Sequence, residues 1–127
     1  MAKVVSIDEL AVEITQAIAD YTEDVAAAIE AEVEVTSQVI VEEIRANSPR
    51  KTGDYAKGWT RRKSQQPGSI SYTIHNRSKP QLTHLLEHGH AKRNGGRVEG
   101  RPHIGPAVDK HIPAMERRIE RIIERGG

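Results

Sequence analysis

His84-Leu85-Leu86-Glu87-His88 is the segment whose residue types and spacing come nearest to catalysis. It spells His-x-x-Glu-His, the inverted zinc-hydrolase pattern, in which two histidines hold a metal and a carboxylate handles protons. Four residues apart on a helix, His84 and His88 share a face. A zinc ion needs a third protein ligand, and His90, His103 and His111 are the available donors. The context argues the other way. Leu85 and Leu86 claim the buried side, Gly89 ends the helix at once, and 127 residues is small for a protease. Polar residues on a short surface helix explain the segment more simply. A His/Asn nuclease built on His75 and Asn76 lacks a defensible ligand spacing. The basic half offers only Asp54, Glu87, Glu99 and Asp109 as acids, with no pair among them. No Ser/His/Asp arrangement, nucleophile elbow or phosphate-cradling glycine loop is present. Cysteine is absent, which removes thiolate chemistry and cysteine-type zinc sites. The expectation is a protein that is not an enzyme, with no catalytic residue, metal or cofactor.

Charge offers a different chemistry. Residues 1–47 hold 11 acids against Lys3 and Arg45, whereas residues 48–112 hold 13 Lys/Arg against four acids. The net charge of +1 hides this division. Arg61, Arg62, Lys63, Lys92, Arg93, Arg97 and Arg101 are the candidate contacts, either to DNA or to the acidic helix of a neighbouring subunit. Without interleaved aromatics such a set grips phosphate backbone and does not read bases. No stacking platform, helix-turn-helix or zinc-finger pattern accompanies it.

The elements that must position these residues follow from periodicity. Ser6 and Glu9 form a capping box, and apolar residues recur at helical spacing from Ile7 to Ile44, so residues 6–47 read as one long acidic helix or two stacked ones. A helix of about 40 residues would span roughly 60 Å, so it must bend, break or project onto another subunit. Pro49 ends it, and Arg50–Asp54 is a polar loop. Residues 55–63 and 69–76 read as an antiparallel hairpin turned by Pro67-Gly68, with Ile70, Tyr72 and Ile74 on the inner face. A short helix over 81–88 is closed by Gly89. Residues 89–105, with five glycines and almost nothing apolar, read as a mobile basic loop. A terminal helix opens at Pro106 and carries Val108, Ile112, Met115 and Ile119 as its stripe. The fold class is α+β, one domain over 1–127. With Trp59, Tyr21, Tyr55 and Tyr72 as the only large aromatics, each worth about 150–250 Å² of burial, the core is aliphatic and thin. Such a chain gains by burying surface against other subunits. No apolar run reaches the length of a membrane span, and no basic-then-apolar leader is present, so neither membrane nor secretory targeting is expected.

Three segments in order carry a resemblance. They are Ser48-Pro49 with Thr52-Gly53-Asp54-Tyr55, then His84-Leu85-Leu86-Glu87-His88-Gly89, then Arg101-Pro102-His103-Ile104-Gly105-Pro106-Ala107 before a charged helix. Over about residues 45–125 the chain resembles the gene-product-ten-like family of lambdoid phages, neck or tail-completion proteins of long-tailed bacteriophages and prophages. The resemblance assigns architectural roles to Thr52, Gly53, Glu87, Gly89, Arg101, Pro102, Pro106 and Ala107, with Glu87 expected to hold the basic loop through Arg101. His88 and His90 depart from the family pattern around Gly89. The resemblance implies a virion structural protein, assembled in the host cytoplasm as a homo-oligomeric ring, a hexamer, at the head–tail joint. Its partners would be other neck, tail-terminator and tail-tube proteins, with phage DNA passing through the channel. The alternative from another class is a small prophage-encoded DNA-binding or metal-dependent nuclease-like protein.

Overall fold

The computed structural model describes residues 2–7, 11–49 and 53–126, with the backbone path alone for 2–7. It is α+β, as the periodicity indicates. Strands β1 (Ala2–Ile7) and β2 (Ala11–Ala17) precede helix α1 (Glu23–Asn47). A one-turn helix α2 (Asp54–Lys57) leads into β3 (Trp59–Gln66) and β4 (Ser69–Asn76). A 3-10 turn at Pro80–Leu82 and α3 (Thr83–His88) follow, then β5 (Gly89–Ala91), β6 (Arg97–Glu99) and α4 (Gly105–Arg125).

The amino-terminal segment corrects the sequence expectation. Ser6, Ile7 and residues 11–17 are not helical; β1 and β2 pair antiparallel, and β2 pairs in turn with β4. Val12, Ile14 and Gln16 alternate inward along β2, a period of two that the helical spacing of Ile7, Ile14 and Ile18 conceals. The capping box fails because Ser6 lies in β1, while Glu9 falls outside the described residues. The helix starts at Thr22 instead, whose hydroxyl accepts the Val25 N–H at 3.3 Å. At 25 residues α1 is about 37 Å long, which a small domain can accommodate.

The main sheet runs β1-β2-β4-β3. Its inner face presents Val12, Ile14, Ile70, Tyr72 and Ile74, all buried against α1. Helix α4 lies antiparallel beside α1. Arg118 near its end reaches Glu32 at 2.6 Å, and His111 near its start reaches Glu43 at 2.8 Å. Ala107, Val108, Ile112, Met115 and Ile119 fill the space between the helices. Trp59 is the one indole in the core, where Tyr55 and Tyr72 join a mostly aliphatic set.

Two further expectations change. Tyr55 and Lys57 belong to α2, not to the first strand of the hairpin, because Gly53 at φ +85° starts a helical turn that Gly58 closes. The basic stretch 89–105 is not a featureless loop either. It contains the β5–β6 ladder, with Gly89 opposite Glu99 and Ala91 opposite Arg97. Its close backbone approach needs glycine: a Cβ on Gly89, at φ +79°, would strike the Val98 carbonyl oxygen, and one on Gly100 would come within 2.6 Å of the Glu87 carbonyl.

Ile40 has no exposed surface, so Ile40→Ala should cost about 2–5 kcal/mol of unfolding free energy in urea. Val35→Ala, on the exposed side of the same helix, should stay within about 0.5 kcal/mol.

Candidate assembly surface

The two later motifs meet at one carboxylate. Helix α3 ends by turning Glu87 inward, leaving the side chain 6% exposed. Oε1 accepts the backbone N–H groups of His103 at 2.8 Å and Ile104 at 2.9 Å, and Oε2 accepts that of Gly105 at 2.9 Å. These are the orphan donors at the start of α4, so Glu87 caps that helix from a distant part of the chain. Burial pushes the carboxyl up, but the three amides, aided by His103, outweigh it and hold the group below its usual value.

His103 extends the connection. Its Nδ1 stands 2.7 Å from the Arg101 carbonyl and 3.1 Å from Glu87 Oε1. Both are acceptors, so Nδ1 carries a proton, and Nε2 shares a hydrogen bond of 2.7 Å with the Tyr55 hydroxyl. Burial pushes that hydroxyl up to about 12, against the opposing pull of Thr83 and Trp59. Tyr55, Trp59 and His103 meet edge to face, at centroid separations of 5.5–6.2 Å. Asn76 closes the circuit by donating to the Tyr55 carbonyl at 2.7 Å and accepting from the Ser78 and Lys79 amides.

This geometry splits the residues of the zinc-hydrolase pattern. Glu87 points into the core while His84 and His88 stay exposed, their rings 5.0 Å apart. Among the described residues no group of three His, Asp or Glu side chains is arranged to hold a metal.

The family-motif residues gather around the same joint, with one exception: Thr52 lies outside the described residues. Gly53 caps α2, and Gly89 begins the hairpin. Arg101 donates its backbone N–H to Leu86 at 2.8 Å while its side chain is exposed, so Glu87 holds the segment through main-chain amides and not through the Arg101 guanidinium. Pro102 is exposed, Pro106 sits exposed in the first turn of α4, and Ala107 is fully buried.

The basic candidates do not form one patch. Alternation along β3 sends Arg61 and Lys63 to the α1 side and Arg62 to the other. Arg61 donates to the Glu34 carbonyl and the Ser37 hydroxyl, both at 2.8 Å, and lies over the Tyr72 ring. Lys92 and Arg93 sit exposed in the β5–β6 turn, and Arg97 donates to the His88 carbonyl at 2.6 Å. Sequence reasoning missed the surface that lies beside Arg61. Ala27, Ala31, Val35 and Val39 step along the exposed side of α1 at intervals of four, and Val35 and Val39 line a groove of about 350 Å³ between α1 and β3. The signal was present in the sequence as apolar residues on both sides of one helix.

Glu87→Ala should lower stability by about 1.5–3 kcal/mol at neutral pH, because three buried amides lose a charged acceptor. Because folding depresses this carboxyl, its contribution is full above the unfolded value of 4.5 and disappears as pH falls through the folded value. Urea midpoints across that range should fall more steeply for the wild type than for Glu87→Ala.

A family model described as "Bacteriophage HK97-gp10, putative tail-component" matches residues 13–89. The match takes in β2, α1, the β3–β4 hairpin and α3, and it stops at the glycine that opens β5. It therefore includes the acidic helix that the sequence resemblance left out, and it ends before the Arg101-Pro102 segment. No curated protein and no solved structure gives a match. Since the matched span is more than half of the chain and takes in three strands of the main sheet, α1 and the Glu87 turn, the chain belongs to the HK97-gp10-like family of bacteriophage tail components.

Proposed function

We propose that this chain is a structural, non-enzymatic subunit of the phage neck. Copies assemble into a ring, a hexamer, at the head–tail joint, where they complete the tail and connect it to the filled head. DNA crosses the channel. On this reading the protein resides in the virion, after assembly in the host cytoplasm, and meets other neck, tail-terminator and tail-tube proteins. Membership in a tail-component family supports the setting. The observation that carries the assembly is the second apolar stripe on α1, exposed at Val35 and Val39 beside a groove. A stripe of this kind on a monomer marks a surface that another protein covers. The uneven charge supports the same reading, since a cyclic ring joins two different patches of one chain. The exposed Arg62 and Lys63 are suited to backbone contact with DNA, and their contribution should weaken as salt rises.

Light scattering on the purified protein, at low and high salt, tests this. The expected result is a species about six times the 14.1 kDa chain mass, either alone or in the presence of tail tubes. A monomer under every condition that cleaves DNA when a divalent metal is added would overturn it.

A further inference from the structure

Helix α1 carries apolar residues on two sides. One stripe enters the core, and the other leaves Val35 59% and Val39 36% exposed. Single exposed valines are ordinary, but these two share a groove with Glu34, Gln38, Glu42 and Arg61. Arg61 is held against the Glu34 carbonyl, Ser37 and Tyr72. Glu32 and Glu43, on the α4 side of the helix, are paired within the chain. Glu34 and Glu42 have no ion pair among the described residues. The groove is an apolar slot with an acidic rim.

The opposite surface lies elsewhere on the same chain. Val98 on β6 is 39% exposed, and Leu85, on the helix leading into the hairpin, is 38% exposed. Lys92 and Arg93 stand in the adjoining turn, with no acidic partner among the described residues. Arg97, one residue before Val98 on β6, points to the other face of the ladder and is bonded to the His88 carbonyl. The hairpin thus carries an exposed valine and a basic turn. Among the described residues no hydrogen bond or ion pair joins hairpin and groove within one chain.

We propose that the α1–β3 groove of one copy receives the β5–β6 hairpin of the next, with Val98 entering beside Val35 and Val39 while Lys92 and Arg93 meet Glu34 and Glu42. The occupant is a second copy of this chain, and the proposal rests on the ring reading above. Complementary charge selects this partner and sets its register, and the apolar centre gains by leaving water. Because groove and hairpin are different patches, the contact is head-to-tail and repeats around a closed ring.

The absence of cysteine makes the test clean. Val39→Cys and Val98→Cys proteins, mixed and oxidised, should cross-link to each other. The double variant should give a ladder that ends at the ring's copy number. Lys92→Glu with Arg93→Glu should weaken self-association by at least about tenfold, and adding Glu34→Lys with Glu42→Lys should restore most of it. All of these positions are exposed, so thermal melting should show the fold unchanged. If the wild type forms rings but the cysteines do not join and the charge variants assemble normally, this contact is overturned while the ring reading stands. A wild type that stays monomeric overturns both. Should Lys92→Glu with Arg93→Glu lose only DNA retention, with assembly intact, the hairpin faces nucleic acid and the contact is again overturned.

Discussion

The buried carboxylate of Glu87 is the constraint on which the carboxy-terminal half depends. A charge withdrawn from water is tolerable only when fully answered, and here three consecutive amides at the head of α4 answer it. The arrangement works in both directions. The carboxylate satisfies donors that the helix cannot satisfy itself, and the helix end supplies the positive field that keeps the carboxylate ionised. His103 then carries the connection to Tyr55, and Asn76 ties Tyr55 to the end of β4. The β5–β6 hairpin leaves this joint at Gly89 and returns to it at Arg101, whose amide is bound to Leu86. The excursion is anchored at both ends by the same few residues, so its direction is fixed by the core.

Much of this fold was legible in the sequence. β4 was readable because Ile70, Tyr72 and Ile74 alternate between a clear turn and a polar end, and the strand alternates between buried and partly buried residues. The stripe of α4 was readable because its charged residues all lie on the other side. The first twenty residues were not, because Ile7, Ile14 and Ile18 satisfy a helical spacing while Val12 and Ile14 satisfy a strand's; pairing with β4, some fifty residues away, decides between them. α2 was hidden in the same way, since four residues cannot display a period.

The site was less legible than the fold. Glu87 stood out by its place in a motif, but that motif suggested zinc chemistry on one reading and a side-chain partner in Arg101 on the other. Its true partners are backbone amides, which every sequence contains and none displays. Arg61, Arg62 and Lys63 looked like one patch because they are adjacent in sequence, and strand alternation separates them. The exposed stripe on α1 was hidden by the buried one, because apolar residues on both sides of a helix blur the contrast that makes either visible.

The strand order has a consequence in time. β2 lies between β1 and β4, yet all of α1 and β3 separates it from β4 along the chain. The β3–β4 pair closes across two residues, whereas the β2–β4 pair must close a loop spanning Ala17 to Ser69. Long closures cost more chain entropy and form more slowly. On the ribosome the amino-terminal hairpin is made first, but its docking edge does not exist until the chain has grown to Asn76. The part of the sheet synthesised earliest therefore has the longest wait for its partner strand.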